Sequence, residues 1–215
     1  MKINANTNMS FQSRSSTIRF ADDIARRVNK EYPRISSTRL ECLPNIVNHE
    51  DILPELWERI ADMRSDISRS MFKQTSVISK VKTILKLIKS QRVGNCNESS
   101  FLALVAARAN GIKNCRVSYV ASPSGYNYDH SVVLVEDEKP YIIDSWLGFA
   151  DYVPNAIKRY QKDFRNCFDF RQANTDEMVI KEDYINVFSS LNEEFNKKEL
   201  RKLRKIVPIF VKIKD

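Results

Sequence analysis

The sequence predicts an α+β fold: an antiparallel sheet packed on a helix that a cysteine opens, with additional helices before and after. Three observations predict it. Up to residue 90 the apolar residues recur at helical spacing. Between residues 115 and 144 they form three short strand-like runs divided by polar turns. After residue 150 the helical spacing returns. Helices segregated from a block of strands are the α+β pattern.

Taken in order, residues 1–16 are rich in Ser, Asn and Thr and lack apolar periodicity, so they read as a disordered leader, either a floppy terminus or a secretion signal. Residues 17–215 read as a single catalytic domain, with a helical part at 17–90, a core at 91–150 and C-terminal helices and a strand at 151–215. Thr17 to Asn29 is a short helix carrying Ile18, Ala21, Ile24, Ala25 and Val28. Tyr32 to Asn48, with Pro33 and Pro44, is irregular. Asp51 to Met71 is a longer helix with Leu56, Ile60 and Ile67 on one face, and Thr75 to Lys89 repeats the pattern with Val81, Ile84 and Ile88. Phe101 to Ala109 continues a helix that Gly111 ends. Cys115 to Val120, Ser131 to Val135 and Pro140 to Asp144 are strands, the last two joined by the polar turn Glu136 to Lys139. Asp151 to Phe164 is a helix. Thr175 to Phe188 fits helix or strand. Ser190 and Glu193 form a capping-box signature for a basic helix reaching Lys205, and Ile206 to Ile213 is a final strand.

Composition narrows the function. No apolar run approaches the roughly 20 residues of a membrane span, so no transmembrane segment is expected. The net charge of +8 favours a partner with an acidic surface. No nucleic-acid motif accompanies that charge, so nucleic acid is not expected as a partner. The basic face of the last helix either docks an acidic target or is simply solvated. The four cysteines, Cys42, Cys96, Cys115 and Cys167, make no Cys-x-x-Cys pair, and there are only two histidines, His49 and His130. That disfavours a zinc site and a disulfide framework, and it suits a thiol working in a reducing compartment.

The chemistry concentrates in residues 91–148. Asn95 is placed to cap the helix and Glu98, three residues on, to complete a capping box, which makes Cys96 the first helical residue. A thiolate there meets the positive end of the helix dipole. His130 begins one strand and Asp144 ends its hairpin neighbour, so the two share one end of the sheet. Nucleophile, base and base-orienting carboxylate are the three parts of a thiol acyl-transfer site. The backbone N–H of Cys96 is the first donor to an oxyanion. Trp146 either walls a substrate channel or is a core aromatic. Cys42, Cys115 and Cys167 read as small apolar core residues.

This stretch resembles the transglutaminase-like core of the papain-like cysteine superfamily. Gly94-Asn95-Cys96-Asn97-Glu98 matches its Gly-x-Cys-x-Glu opening, Arg108-Ala109-Asn110-Gly111-Ile112 its helix end, and His130 and Asp144 its strand-borne partners. Val93 departs from the Arg-Gly-Gly-x-Cys opening of arylamine N-acetyltransferases, and Ser131 from the aromatic residue that often follows the histidine in transglutaminases. The resemblance implies a Cys96–His130–Asp144 triad and no metal or organic cofactor. Papain-like enzymes take a second oxyanion donor from a Gln side chain a few residues upstream of the cysteine; that resemblance makes Gln91 the candidate, with Asn95 its rival, although capping would occupy the Asn95 oxygen. It implies a cysteine-dependent amide hydrolase acting on proteins, first of all a glutamine deamidase of the bacterial effector kind, held in the bacterial cytoplasm before export to a host cell. The alternatives are a papain-like protease, a transglutaminase or arylamine-type acyltransferase, and a non-enzymatic binding module.

Overall fold

The computed structural model describes residues 15–37, 52–121, 130–163, 179–181, 188 and 195–207. Residues 1–14 of the expected leader, His49, Cys42, Cys167, the Ser190 to Glu193 signature and the expected strand after Val207 lie outside the described residues.

The described chain is α+β. Its helices are α1 (Ser16–Glu31), α2 (Leu53–Lys73), α3 (Val77–Gln91), α4 (Cys96–Ala109), α5 (Val153–Asp163) and α6 (Lys197–Ile206). Its strands are β1 (Cys115–Ala121), β2 (His130–Val135), β3 (Tyr141–Asp144), β4 (Phe149–Tyr152) and the short β5 (Val179–Lys181), arranged as one antiparallel sheet in the order β4-β3-β2-β1-β5.

Helix α1 begins earlier than expected. Ser15 caps it by accepting from Ile18 N at 3.3 Å, and the same hydroxyl shares a 3.0 Å hydrogen bond with the Tyr152 hydroxyl, so residues 15 and 16 belong to the fold and not to a leader. Asp22, on the buried face of α1, accepts from Ala150 N at 3.0 Å and covers part of the β4 edge. Helices α2 and α3 pack together through Leu56, Ile60, Met63 and Ile67 on one side and Ile78, Val81, Ile84 and Ile88 on the other.

Helix α4 is the centre. Every residue from Glu98 to Ala109 is buried, as expected for a helix that is apolar nearly all round. It ends as a Schellman motif: Gly111 takes φ +89, Ile112 N donates to Ala107 O and Gly111 N to Arg108 O, both at 3.0 Å. One large core joins α1–α4, α6 and the sheet residues Val117, Tyr119, Val133, Val135, Tyr141 and Ile143. A smaller core on the opposite face holds Val120, Val132, Ile142, Trp146, Phe149 and, from α5, Ala156 and Tyr160.

Two elements differ from the sequence reading. The stretch read as helix from Asp151 starts with β4, and the helix begins only at Val153. Gly148, at φ +77, closes the turn after β3 with Gly148 N donating to Asp144 O at 2.8 Å. That turn lays Phe149 to Tyr152 against Tyr141 to Asp144, where sheet pairing outweighs helical spacing. The basic helix starts at Lys197. Phe195 and Asn196 are not helical, and Asn196 with Glu199 forms the capping box that sets the start.

Candidate active site

The turn that delivers Cys96 is tightly specified. After α3, Arg92 adopts a left-handed conformation (φ 54), and the chain then pairs briefly with the segment after α1: Ile35 N donates to Arg92 O at 2.9 Å and Gly94 N to Ile35 O at 3.1 Å. Gly94 follows at φ +152, where a Cβ would stand 2.9 Å from Glu98 Cβ and 3.3 Å from Arg34 Cδ. Glu98 is fully buried. Its Oε2 accepts from Asn95 N at 2.8 Å, and Arg64 grips the carboxylate with Nε at 2.8 Å and Nη2 at 3.1 Å. The capping box therefore forms, and an ion pair from the buried Glu98 to the half-buried Arg64 of α2 backs it. Cys96 emerges as the first helical residue, a half-buried thiol outside any disulfide at the helix N-terminus.

The sheet supplies the other two residues. Val133 pairs with Ile143 and Leu134 with Ile142, so Asp144 lies one diagonal step from His130 on the same face. His130 Nε2 and Asp144 Oδ2 are 2.7 Å apart, both groups being almost fully buried. Asp144 is held on both oxygens. Leu147 N donates to Oδ1 at 2.9 Å, and the Tyr160 hydroxyl donates to Oδ2 at 2.9 Å. The Trp146 and Tyr160 rings flank the imidazole, with centroids 5.1 and 5.4 Å from it.

Cys96 also bears on the same imidazole. With Nε2 held by Asp144, Nδ1 is the nitrogen left for the thiol. Burial opposes a charged imidazole, but the charge of Asp144 and its hydrogen bond outweigh burial, and Cys96 adds in the same sense. The His130 pKa is raised to about 10. His130 is thus an imidazolium near neutral pH, beside a thiol at a helix N-terminus.

The remaining expected residues sit as follows. Asn95 is buried, its Oδ1 accepting from Ser36 at 2.9 Å and its Nδ2 donating to Ser37 at 3.2 Å, so its amide is engaged away from an oxyanion. Trp146 Nε1 donates to the same Ser36 hydroxyl at 3.0 Å and links the turn after β3 to the helix cap. Gln91 is the last residue of α3, and its carbonyl accepts from Arg59 at 3.0 Å. Cys115 is buried, and burial pushes its thiol up despite the opposing pull of Arg108. Among the described residues no group of three His, Cys, Asp or Glu side chains could hold a metal ion, and no helix is long and apolar enough to cross a membrane.

Sequence reasoning missed Tyr160, Ser36 and Leu147 N. Tyr160 belongs to an apolar helical stripe with Ala156 and reads there as core. Ser36 meets Trp146 across 110 residues of sequence and Asn95 across 59, with no local pattern to mark it.

Set against family models, curated proteins and solved structures, the chain gives no match.

Proposed function

We propose that this protein is a cysteine-dependent amide hydrolase acting on proteins, with Cys96 as nucleophile, His130 as acid–base and Asp144 as the group that orients the imidazole. The observation that carries the reading is the 2.7 Å His130–Asp144 contact, on an imidazole whose charge the helix-opening Cys96 also favours.

In the first half-reaction the Cys96 sulfur bonds to the amide carbonyl carbon, and the resulting oxyanion is met by the N–H of Cys96. Gln91 is the proposed second donor, because the Asn95 amide already serves Ser36 and Ser37. As the C–N bond breaks, Nδ1 of the imidazolium gives its proton to the leaving nitrogen. In the second half-reaction water attacks the thioester, His130 takes its proton, and the C–S bond breaks to release a carboxylic acid and the thiolate. Every group required is supplied by the chain and by water.

The proposed substrate is a glutamine side chain, with ammonia as leaving group. Cys96 is half-buried, while among the described residues His130, Asp144 and Trp146 are 5% exposed or less. A slim acyl group reaches such a sulfur more readily than the middle of a polypeptide. The setting we propose is a host-cell cytosol after bacterial export, with an acidic target protein suited to the +8 charge.

Host-cell proteins exposed to the native chain and to Cys96→Ala, followed by intact mass and charge-resolving gels, test the reading. Deamidation leaves a full-length target with one added carboxylate, dependent on Cys96 and His130. Two fragments with no acidic full-length form would replace deamidation by proteolysis. Identical targets after both treatments would reject an enzyme.

A further inference from the structure

Asp144 Oδ2 serves two donors. His130 Nε2 reaches it at 2.7 Å and the Tyr160 hydroxyl at 2.9 Å, while Leu147 N holds the other oxygen at 2.9 Å. Tyr160 is fully buried on α5, with its ring edge-on to the imidazole at an interplanar angle of 68°. It packs with Phe149 and Ala156 in the smaller core, a setting that fixes the phenol before any substrate arrives. Among the described residues, the titratable groups set against the imidazole are Asp144 from β3, Cys96 from α4 and Tyr160 from α5, and the Trp146 ring flanks it as well.

A carboxylate only accepts hydrogen bonds, so against an ionised Asp144 the phenol must donate. Two donors on one oxygen share its negative charge, and each bond is weaker than it would be alone. We infer that Tyr160 is a positioning residue of the proposed thiol site, acting through Asp144 to fix the plane of the carboxylate and to moderate its pull on His130. The mechanistic part of this inference rests on the hydrolase reading above; the shared oxygen does not. Without the phenol, the full charge of Asp144 bears on the imidazolium, which then holds its proton more tightly and gives it to the leaving nitrogen less readily.

The test uses the full-length chain. Tyr160→Phe keeps the ring and removes the donor. Fluorotyrosine incorporated at residue 160 keeps the hydroxyl and makes it a stronger donor. His130 is followed through its ring nitrogens by NMR titration in a Cys96→Ala background, which removes the neighbouring thiol. Tyr160→Phe should move the His130 titration up by about half a pH unit, and fluorotyrosine should move it down. With Cys96 present, Tyr160→Phe should lower kcat about tenfold at unchanged KM. A titration that stays in place in a folded Tyr160→Phe chain overturns the inference. If that variant does not fold, fluorotyrosine decides: a downward move supports the inference and no move overturns it. Opposite titration shifts in a chain without turnover would keep the role of Tyr160 on the pair and reject the hydrolase. Turnover with unmoved titrations would do the reverse.

Discussion

Removing the Cys96 sulfur is the sharpest intervention at the scale of a single residue. The side chain is small and half-buried, so Cys96→Ala should cost about 1 kcal/mol or less in a thermal or urea melt, while turnover falls to background. A variant that unfolds would make the cysteine structural. The same contrast should appear in alkylation followed by mass spectrometry. Cys96 lies at a helix N-terminus beside an imidazolium, whereas Cys115 is 4% exposed with its thiol pushed up by burial, so Cys96 should label first by a wide margin. Equal rates would contradict a tuned nucleophile. Cys96, His130 and Asp144 were legible in the sequence because each sits at a boundary that local patterns mark: a cap, a strand start and a strand end. Tyr160 and Ser36 were not, because their roles come from tertiary contacts and their local surroundings read as an ordinary helical stripe and a polar loop.

At the scale of elements, the position of Cys96 depends on the α3–α4 turn, and Gly94 is its tightest point. An alanine there must hold φ near +152 and place a Cβ 2.9 Å from the side chain of Glu98, which Arg64 pins in place. Glu98 cannot retreat without breaking its ion pair to the partly exposed Arg64 and the bond that closes the helix cap. Gly94→Ala should therefore cost about 2–3 kcal/mol in a denaturant melt, with a loss of turnover beyond what the remaining folded fraction explains. A variant as stable and active as the native chain would show that the turn tolerates adjustment. The sequence marked this turn well, since its glycine, cap and acidic N3 residue are all local signals. It marked β4 poorly. Phe149 to Tyr152 is four residues long and flanks a helical pattern, and only its pairing with β3 makes it a strand. The sequence also offered a capping-box signature at Ser190 and Glu193, outside the described residues, and the described helix starts from the box of Asn196 and Glu199, with Phe195 before it and Leu203 within it buried in the core.

At the scale of the whole molecule, two electrostatic effects act in opposite directions as pH rises from neutral. The chain carries a net charge of +8, and losing positive charge relieves self-repulsion, which favours the folded state. The His130–Asp144 pair works the other way. The His130 pKa is raised to about 10 in the folded protein, against an ordinary value of 6.5, so the folded state holds a proton that the unfolded chain has released. The pair's contribution is fully present below about pH 6.5, declines through the interval above it, and is lost as pH rises through about 10. Salt separates the two effects, because it screens the diffuse surface charge and leaves a buried contact of 2.7 Å nearly untouched. Asp144→Asn isolates the pair, because lysines and surface tyrosines titrate alike in both chains and cancel in the comparison. Urea unfolding of both chains in high salt, at pH values from 6 to 10, should show the stability advantage of the native chain over Asp144→Asn shrinking steadily toward the alkaline end. A constant advantage across that range would mean that His130 is neutral in the folded state, and the imidazolium beside Cys96 would have to be given up.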